Sequence, residues 1–122
     1  MMMKHDQKKL LIVEDDVFVA MDAEAAAQSQ GFIPVTTESR RNALMLIERD
    51  SFCGALVDFN LVDGNSTDVA SRLGEKGIRY VIVTGAPSDE IAAAGIDPGK
   101  VVTKPARYDA LIRDLVSQGA TR

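Results

Sequence analysis

Short apolar blocks recur along the chain at a steady interval. Leu10-Leu11-Ile12-Val13, Ile33 to Val35, Ala55-Leu56-Val57, Tyr80 to Val83 and Val101-Val102 are mostly β-branched. Such runs predict strands buried on both faces, as in a parallel sheet. Between them the apolar spacing becomes helical. Val19, Ala20, Ala23, Ala26, Ala27 and Gln30 share one face, and Gly31 is a natural stop. Ala43, Leu44 and Ile47 make a second face, with Ser39 as its N-cap. Val69, Ala70 and Leu73 make a third, and Ser88 to Ala94 a shorter fourth between Pro87 and Gly95. Tyr108, Leu111, Ile112, Leu115 and Val116 give the clearest stripe, after Pro105. The order is strand then helix, five times over. Parallel strands need right-handed crossovers, and helices must cover both faces. The prediction is an α/β fold with a doubly wound five-stranded parallel sheet, (βα)5, in the order 2-1-3-4-5.

Composition narrows the function classes. A chain of 122 residues that is 46% apolar suits one domain, taken as 1–122 with residues 1–7 a disordered polar tail. His5 falls in that tail, and Gly119 to Arg122 reads as a short tail at the other end. A net charge of −4 and scattered basic residues argue against a nucleic-acid surface. The start lacks the apolar core of a signal peptide, and no apolar run approaches the roughly 20 residues that cross a bilayer. A lone cysteine, Cys53, forms no internal disulfide, reads as a buried small apolar residue, and suits a reducing cytoplasm.

Ligands of open parallel sheets bind outside the carboxyl ends of the strands, at the switch between strands 1 and 3. Here strand 1 ends in Glu14-Asp15-Asp16, strand 3 in Asp58, strand 4 in Thr84 and strand 5 in Thr103-Lys104-Pro105. An acidic trio alone is equally an ordinary solvated helix start. Asp58 is different, because it closes an apolar strand where a buried charge is costly. Carboxylates crowded at one crevice repel unless a cation neutralises them, and a hard oxygen-liganded ion such as Mg²⁺ fits. Lys104 can project a point charge toward Asp58 or an attached phosphoryl oxygen. A cis peptide at Lys104-Pro105 would fix that projection. Thr84 offers a hydroxyl to another phosphoryl oxygen. The run Gly95 to Val101 is one residue short of a phosphate-binding loop, with Val101 where Ser or Thr is needed, and reads as the loop into strand 5.

Leu11-Ile12-Val13-Glu14-Asp15-Asp16, Ala55-Leu56-Val57-Asp58, Val83-Thr84-Gly85 and Thr103-Lys104-Pro105 together resemble the receiver domain of bacterial two-component response regulators, a flavodoxin-like fold, from about Lys8 to Gln118. The resemblance implies Asp58 as phosphoacceptor. It implies Asp15, Asp58 and the backbone carbonyl of Asn60 as Mg²⁺ ligands, with Glu14 bound through water. Thr84 would hold a phosphoryl oxygen and Lys104 would form the salt link, while Asp16 is the least defined of the acidic trio. The implied donor is a sensor histidine kinase or phosphotransfer protein, in the cytoplasm. The chain would catalyse its own modification without being an enzyme that turns over a separate substrate.

The chain departs from the usual pattern in places. Val101 stands where receivers usually carry the aromatic switch residue, and Ala106 replaces the common phenylalanine after Lys-Pro. The loop Asn60-Leu61-Val62-Asp63-Gly64 is short, and with Lys76-Gly77-Ile78 it resembles short single-domain regulators of alphaproteobacteria. Ile82, Val83 and Pro87 depart from the Phe-Ala-Thr-Gly-x-Tyr run that some of that group carry.

The leading expectation is a stand-alone receiver that signals by phosphorylation-dependent binding of an output protein, with helix 4, strand 5 and helix 5 as a homodimer face. No nucleic acid or membrane partner is expected. One alternative is a phosphate sink or phosphorelay shuttle without an output surface. A more distant one is a haloacid-dehalogenase-like phosphatase. Its general acid would stand two residues after the nucleophile, where this chain has Asn60.

Overall fold

The structure is a computed structural model that describes residues 8–120, with side chains through Ser117. The expected tail of residues 1–7, His5 included, lies outside the described residues. The elements run β1 (Lys9–Val13), α1 (Val17–Ser29), β2 (Ile33–Thr37), α2 (Arg40–Arg49), β3 (Gly54–Val57), β4 (Asn60–Leu61), β5 (Gly64–Asn65), α3 (Thr67–Glu75), β6 (Tyr80–Thr84), α4 (Ser88–Ala93), β7 (Val101–Thr103) and α5 (Tyr108–Ala120). Five strands form one sheet in the order β2-β1-β3-β6-β7. Every pairing within it is parallel, so the order is the expected 2-1-3-4-5. The remaining two strands, β4 and β5, make a separate antiparallel hairpin directly after Asp58.

Period-two alternation divides each central strand between two cores. Leu11, Val13, Ala55, Val57 and Ile82 point to the face covered by α2, α3 and α4, meeting Ala43, Ile47, Val69, Leu73 and Ile91. Leu10, Ile12 and Leu56 point the other way, onto Ala23 and Ala27 of α1 and Ile112 and Leu115 of α5. Burying a Leu, Ile or Val side chain is worth about 1.5–3 kcal/mol, and a one-residue slip would exchange the two faces. The register that brings the strand ends together is therefore held by many such terms.

Burial corrects part of the expectation. The central β1 and β3 are buried on both faces, but the edge strand β2 exposes Ile33 and half-buries Pro34, Val35 and Thr37. The other edge, β7, is likewise only half-buried at Val101 and Val102. An edge strand has one neighbour and less helix above it, which apolar composition alone does not reveal. Cys53 is half-buried rather than buried, and desolvation pushes its thiol pKa up. Helix α5 extends through Ala120, so Gly119 and Ala120 of the expected C-terminal tail belong to the last helix.

Caps follow the sequence. Ser39 Oγ accepts from Asn42 N at 3.1 Å, and Gly31 adopts a left-handed φ of 87° just past α1. The run before β7 folds as a 3₁₀ turn over Pro98–Lys100, with Asp97 Oδ1 accepting from Gly99 N at 2.9 Å. It is the loop into the last strand, as the sequence indicates.

Candidate functional site

Backbone hydrogen bonds continue past the strand ends and hold the site residues in register. Glu14 N donates to Thr37 O, Asp58 N to Val13 O, and Lys104 N to Thr84 O, each at 2.9 Å. The carboxyl ends of β1, β3, β6 and β7 thus present their next residues at one edge of the sheet.

Carboxylate oxygens of Glu14, Asp15 and Asp58 all lie within 4.8 Å of one another. Glu14 and Asp58 are buried and Asp15 is half-buried. Two like charges that close repel by about 3–4 kcal/mol at an effective dielectric near 20. Lys104 answers part of this. Its Nζ lies 3.0 Å from Glu14 Oε1 and 3.3 Å from Asp58 Oδ2. Burial alone would lower the Lys104 pKa, but the Glu14 hydrogen bond and the charges of Asp58 and Glu14 outweigh it and raise the value. Burial likewise pushes the Glu14 carboxyl up, against the lowering effect of its bonds from Lys104 and the Asp16 backbone.

Three carboxylates facing one ammonium leave two negative charges uncompensated. That charge and the all-oxygen donor set fit a hard divalent cation. Asp15 and Asp58 Oδ1 are available for it, since Lys104 engages only Oδ2 of Asp58, while both Glu14 oxygens are taken, Oε1 by Lys104 and Oε2 by Asp16 N at 3.1 Å. Asn60 opens β4, two residues beyond Asp58.

Asp16 takes a different part. Its Oδ1 accepts from Phe18 N at 2.9 Å and Val19 N at 3.2 Å, so it is the N-cap of α1. The cluster of metal-competent carboxylates among the described residues does not include it. A cap of this kind is worth about 1 kcal/mol and explains an acid at that position without a ligand.

Thr84 is buried at the end of β6, and its Oγ1 accepts from Ala86 N at 3.0 Å. That bond uses the oxygen as acceptor and leaves the hydroxyl hydrogen to donate elsewhere. The Lys104–Pro105 peptide is cis. Val101 is half-buried against the core on the α4 side of the sheet, with no aromatic ring at its position.

Three features escaped the sequence reading. Tyr108, in sequence one member of the last helical stripe, joins Val83, Leu56 and Ile12 in the apolar wall beneath Glu14 and Asp58. Burial first, then the acidic charges, raise its phenol pKa against the opposing effect of Lys104. Val17, Phe18 and Met21 stand exposed, and Val17 and Met21 line one groove with Glu14 and Asp15. Asp63, at the hairpin tip, accepts from Arg40 N at 2.7 Å and Arg41 N at 3.0 Å. The Asp63-Gly64 dipeptide was the available signal for that hairpin.

The five-stranded parallel sheet carries acids at the β1 and β3 ends and Thr and Lys at the next two ends, an arrangement to compare with the receiver class of response regulators. The chain resembles that class in fold and in sequence. The response regulator receiver domain protein (CheY-like) of Methanospirillum hungatei JF-1 superposes with a TM-score of 0.79, at 24% identity, over 94% of this chain and 95% of that one. The response regulator PhyR of Brucella abortus gives a TM-score of 0.75 at 26% identity, over 96% of this chain and 52% of that one. In sequence, the chain is 29% identical over 116 residues to the photosynthetic apparatus regulatory protein RegA of Cereibacter sphaeroides, covering 92% of this chain. The chain spans 63% of the length of that relative. No protein-family model matches the chain.

Proposed function

We propose that the chain is a response-regulator receiver that accepts a phosphoryl group on Asp58 from a phosphohistidine of a sensor histidine kinase or phosphotransfer protein. The observation that carries this is the convergence of Glu14, Asp15 and Asp58 with Lys104 at the carboxyl edge of the sheet. An Asp58 carboxylate oxygen attacks phosphorus, the P–N bond breaks, and the imidazole leaves with the electron pair. The product is an aspartyl phosphate. Asp15, Asp58 and the Asn60 carbonyl would hold Mg²⁺, with Glu14 reached through water. Bound there, the ion would offset charge on the phosphoryl oxygens. Lys104 supplies a second positive charge, and the Thr84 hydroxyl a hydrogen-bond donor. Such positioning and electrostatics are most of what phosphoryl transfer asks of a protein.

The chain is its own substrate in this scheme, so it does not act as an enzyme with turnover. The exposed Val17, Phe18 and Met21 beside the acidic groove suit contact with the protein donor. Output follows from a shift in conformational populations read by a protein partner. A reducing cytoplasm accords with the free Cys53, and no helix among the described residues is long and apolar enough to cross a membrane.

Incubation with acetyl phosphate or phosphoramidate and Mg²⁺, followed by intact mass, should show a single phosphoryl adduct that Asp58→Asn abolishes. An unlabelled wild type, or equal labelling of the variant, would overturn the assignment. Val101, in the place of an aromatic switch, supports a second reading as a phosphate sink or shuttle. Pull-downs with and without beryllofluoride separate the two, since a state-dependent partner other than a kinase or phosphotransfer protein excludes a pure sink.

A further inference from the structure

The hairpin after Asp58 is fastened at both ends. At its base, Ser66 N donates to Phe59 O at 2.8 Å, and the Phe59 and Leu61 side chains on either side of Asn60 are buried in the core. At its tip, Asp63 reaches the first turn of α2. The first N–H groups of a helix have no partner within the helix. Ser39 satisfies that of Asn42, while the Asp63 carboxylate satisfies those of Arg40 and Arg41 with one oxygen each. A negative group at that end also meets the positive pole of the helix. Arg40 adds an ion pair to Asp68 on α3. The two-strand ladder between tip and base pairs Asn60 with Asn65 and Leu61 with Gly64.

We propose that Asp63 is a positioning residue for the divalent-cation site: by clamping the tip of the β4–β5 hairpin to α2, it holds Asn60 where its backbone carbonyl can serve as a ligand. The proposal rests on the reading of Glu14, Asp15, Asp58 and Asn60 as a Mg²⁺ site. Its energetic logic is preorganisation. A carbonyl on a free loop must be ordered when the ion binds, at a cost in conformational entropy, whereas a clamped hairpin is ordered beforehand. Coupling between two sites is reciprocal. If the clamp strengthens metal binding, the metal strengthens the clamp by the same factor, at Arg40 and Arg41 on the far side of the hairpin. A role for Asp63 confined to overall stability predicts no such reciprocity.

The experiment is a Mg²⁺ titration of the whole chain, followed through the amide resonances of residues 58–60, with amide exchange at Arg40 and Arg41 measured with and without the ion. Asp63→Asn should weaken Mg²⁺ binding about tenfold, the lower end of the effect of groups that support metal ligands. In the wild type, saturating Mg²⁺ should slow exchange at Arg40 and Arg41 by a similar factor. Arg40→Pro removes one of the two donors and leaves Asp63 in place. Proline is accepted at the first helical position, and Ser39 before it is already extended, with φ −125° and ψ 152°. Arg40→Pro should therefore reproduce part of the loss. Arg40→Ala, which removes only the guanidinium bond to Asp68, should bind Mg²⁺ like the wild type.

Wild-type affinity in Asp63→Asn, or exchange at Arg40 and Arg41 indifferent to Mg²⁺, overturns the clamp and leaves the metal site standing. A wild type that binds no Mg²⁺ overturns both. Should Asp63→Asn fail to fold, the contrast between Arg40→Pro and Arg40→Ala decides the matter.

Discussion

Lys104 donates from Nζ to Glu14 Oε1 at 3.0 Å, a shorter contact than the 3.3 Å it keeps with Asp58 Oδ2. The lysine therefore bridges two acids, one at the end of each strand that flanks the switch point. Its first task is to make a crowded acidic pocket tolerable.

Removing that bridge should be costly. Breaking a fully buried ion pair costs about 3–5 kcal/mol, and solvent screening around a lysine side chain that is 24% exposed reduces this. Lys104→Met should lose about 1–3 kcal/mol in urea unfolding without metal, and Mg²⁺ should return part of the loss. A variant as stable as the wild type would show that the carboxylates are not in electrostatic conflict.

Asp58→Asn should behave in the opposite sense. It removes one of three mutually repelling carboxylates and leaves Lys104 with Glu14. Without metal it should be at least as stable as the wild type. A ligand at ten times its Kd stabilises the wild type by about 1.4 kcal/mol. Asp58→Asn should lose most of that Mg²⁺-dependent gain, and an undiminished gain in thermal melts would place the ion elsewhere.

Thr84→Ala deletes the acceptor of the Ala86 N–H. The expected cost is about 1 kcal/mol of stability, with slower labelling of Asp58 by acetyl phosphate. Thr84→Ser keeps the hydroxyl and should recover both. If serine fails where alanine fails, the methyl group and its packing matter, not the hydrogen bond.

Asp63 gives a pH signature. The Arg40 and Arg41 backbone N–H groups hold its carboxyl below the usual aspartate range. Unfolding therefore raises its pKa, and the unfolded chain takes up a proton first as pH falls. The stability from Asp63 is present above its unfolded pKa of about 4 and lost as pH falls through the depressed folded value. Acid unfolding should consequently be flatter below about pH 4 in Asp63→Asn than in the wild type. Parallel acid limbs in the two proteins would count against the hydrogen bonds seen to this carboxylate.

Much of this architecture was legible in the chain. Short continuous runs of β-branched and other apolar residues and helical stripes of period 3.6 are local signals, and they gave five strands, five helices and the sheet order. Because open parallel sheets bind ligands at their carboxyl ends, the same pattern pointed to Glu14, Asp15, Asp58, Thr84 and Lys104. The hairpin at Asn60 to Asn65 was missed because each of its strands is two residues long, too short for any period to register.

What only tertiary structure decided is which partner each polar group finds. Asp16 and Asp15 are neighbours of the same residue type, yet one caps α1 and the other faces the acidic cluster, since consecutive residues leaving a strand point apart. Cys53 and Ile33 are apolar in sequence, but their exposure depends on which strand lies at the edge and how far the helices reach. Asp63 meets Arg40 and Arg41 across 22 or more positions of chain. Local pattern carries no record of such a contact, because it exists only once the sheet register has brought the hairpin tip beside the start of α2. The sequence by itself determined the sheet and the edge at which its chemistry gathers; folding chose the hydrogen-bond partners.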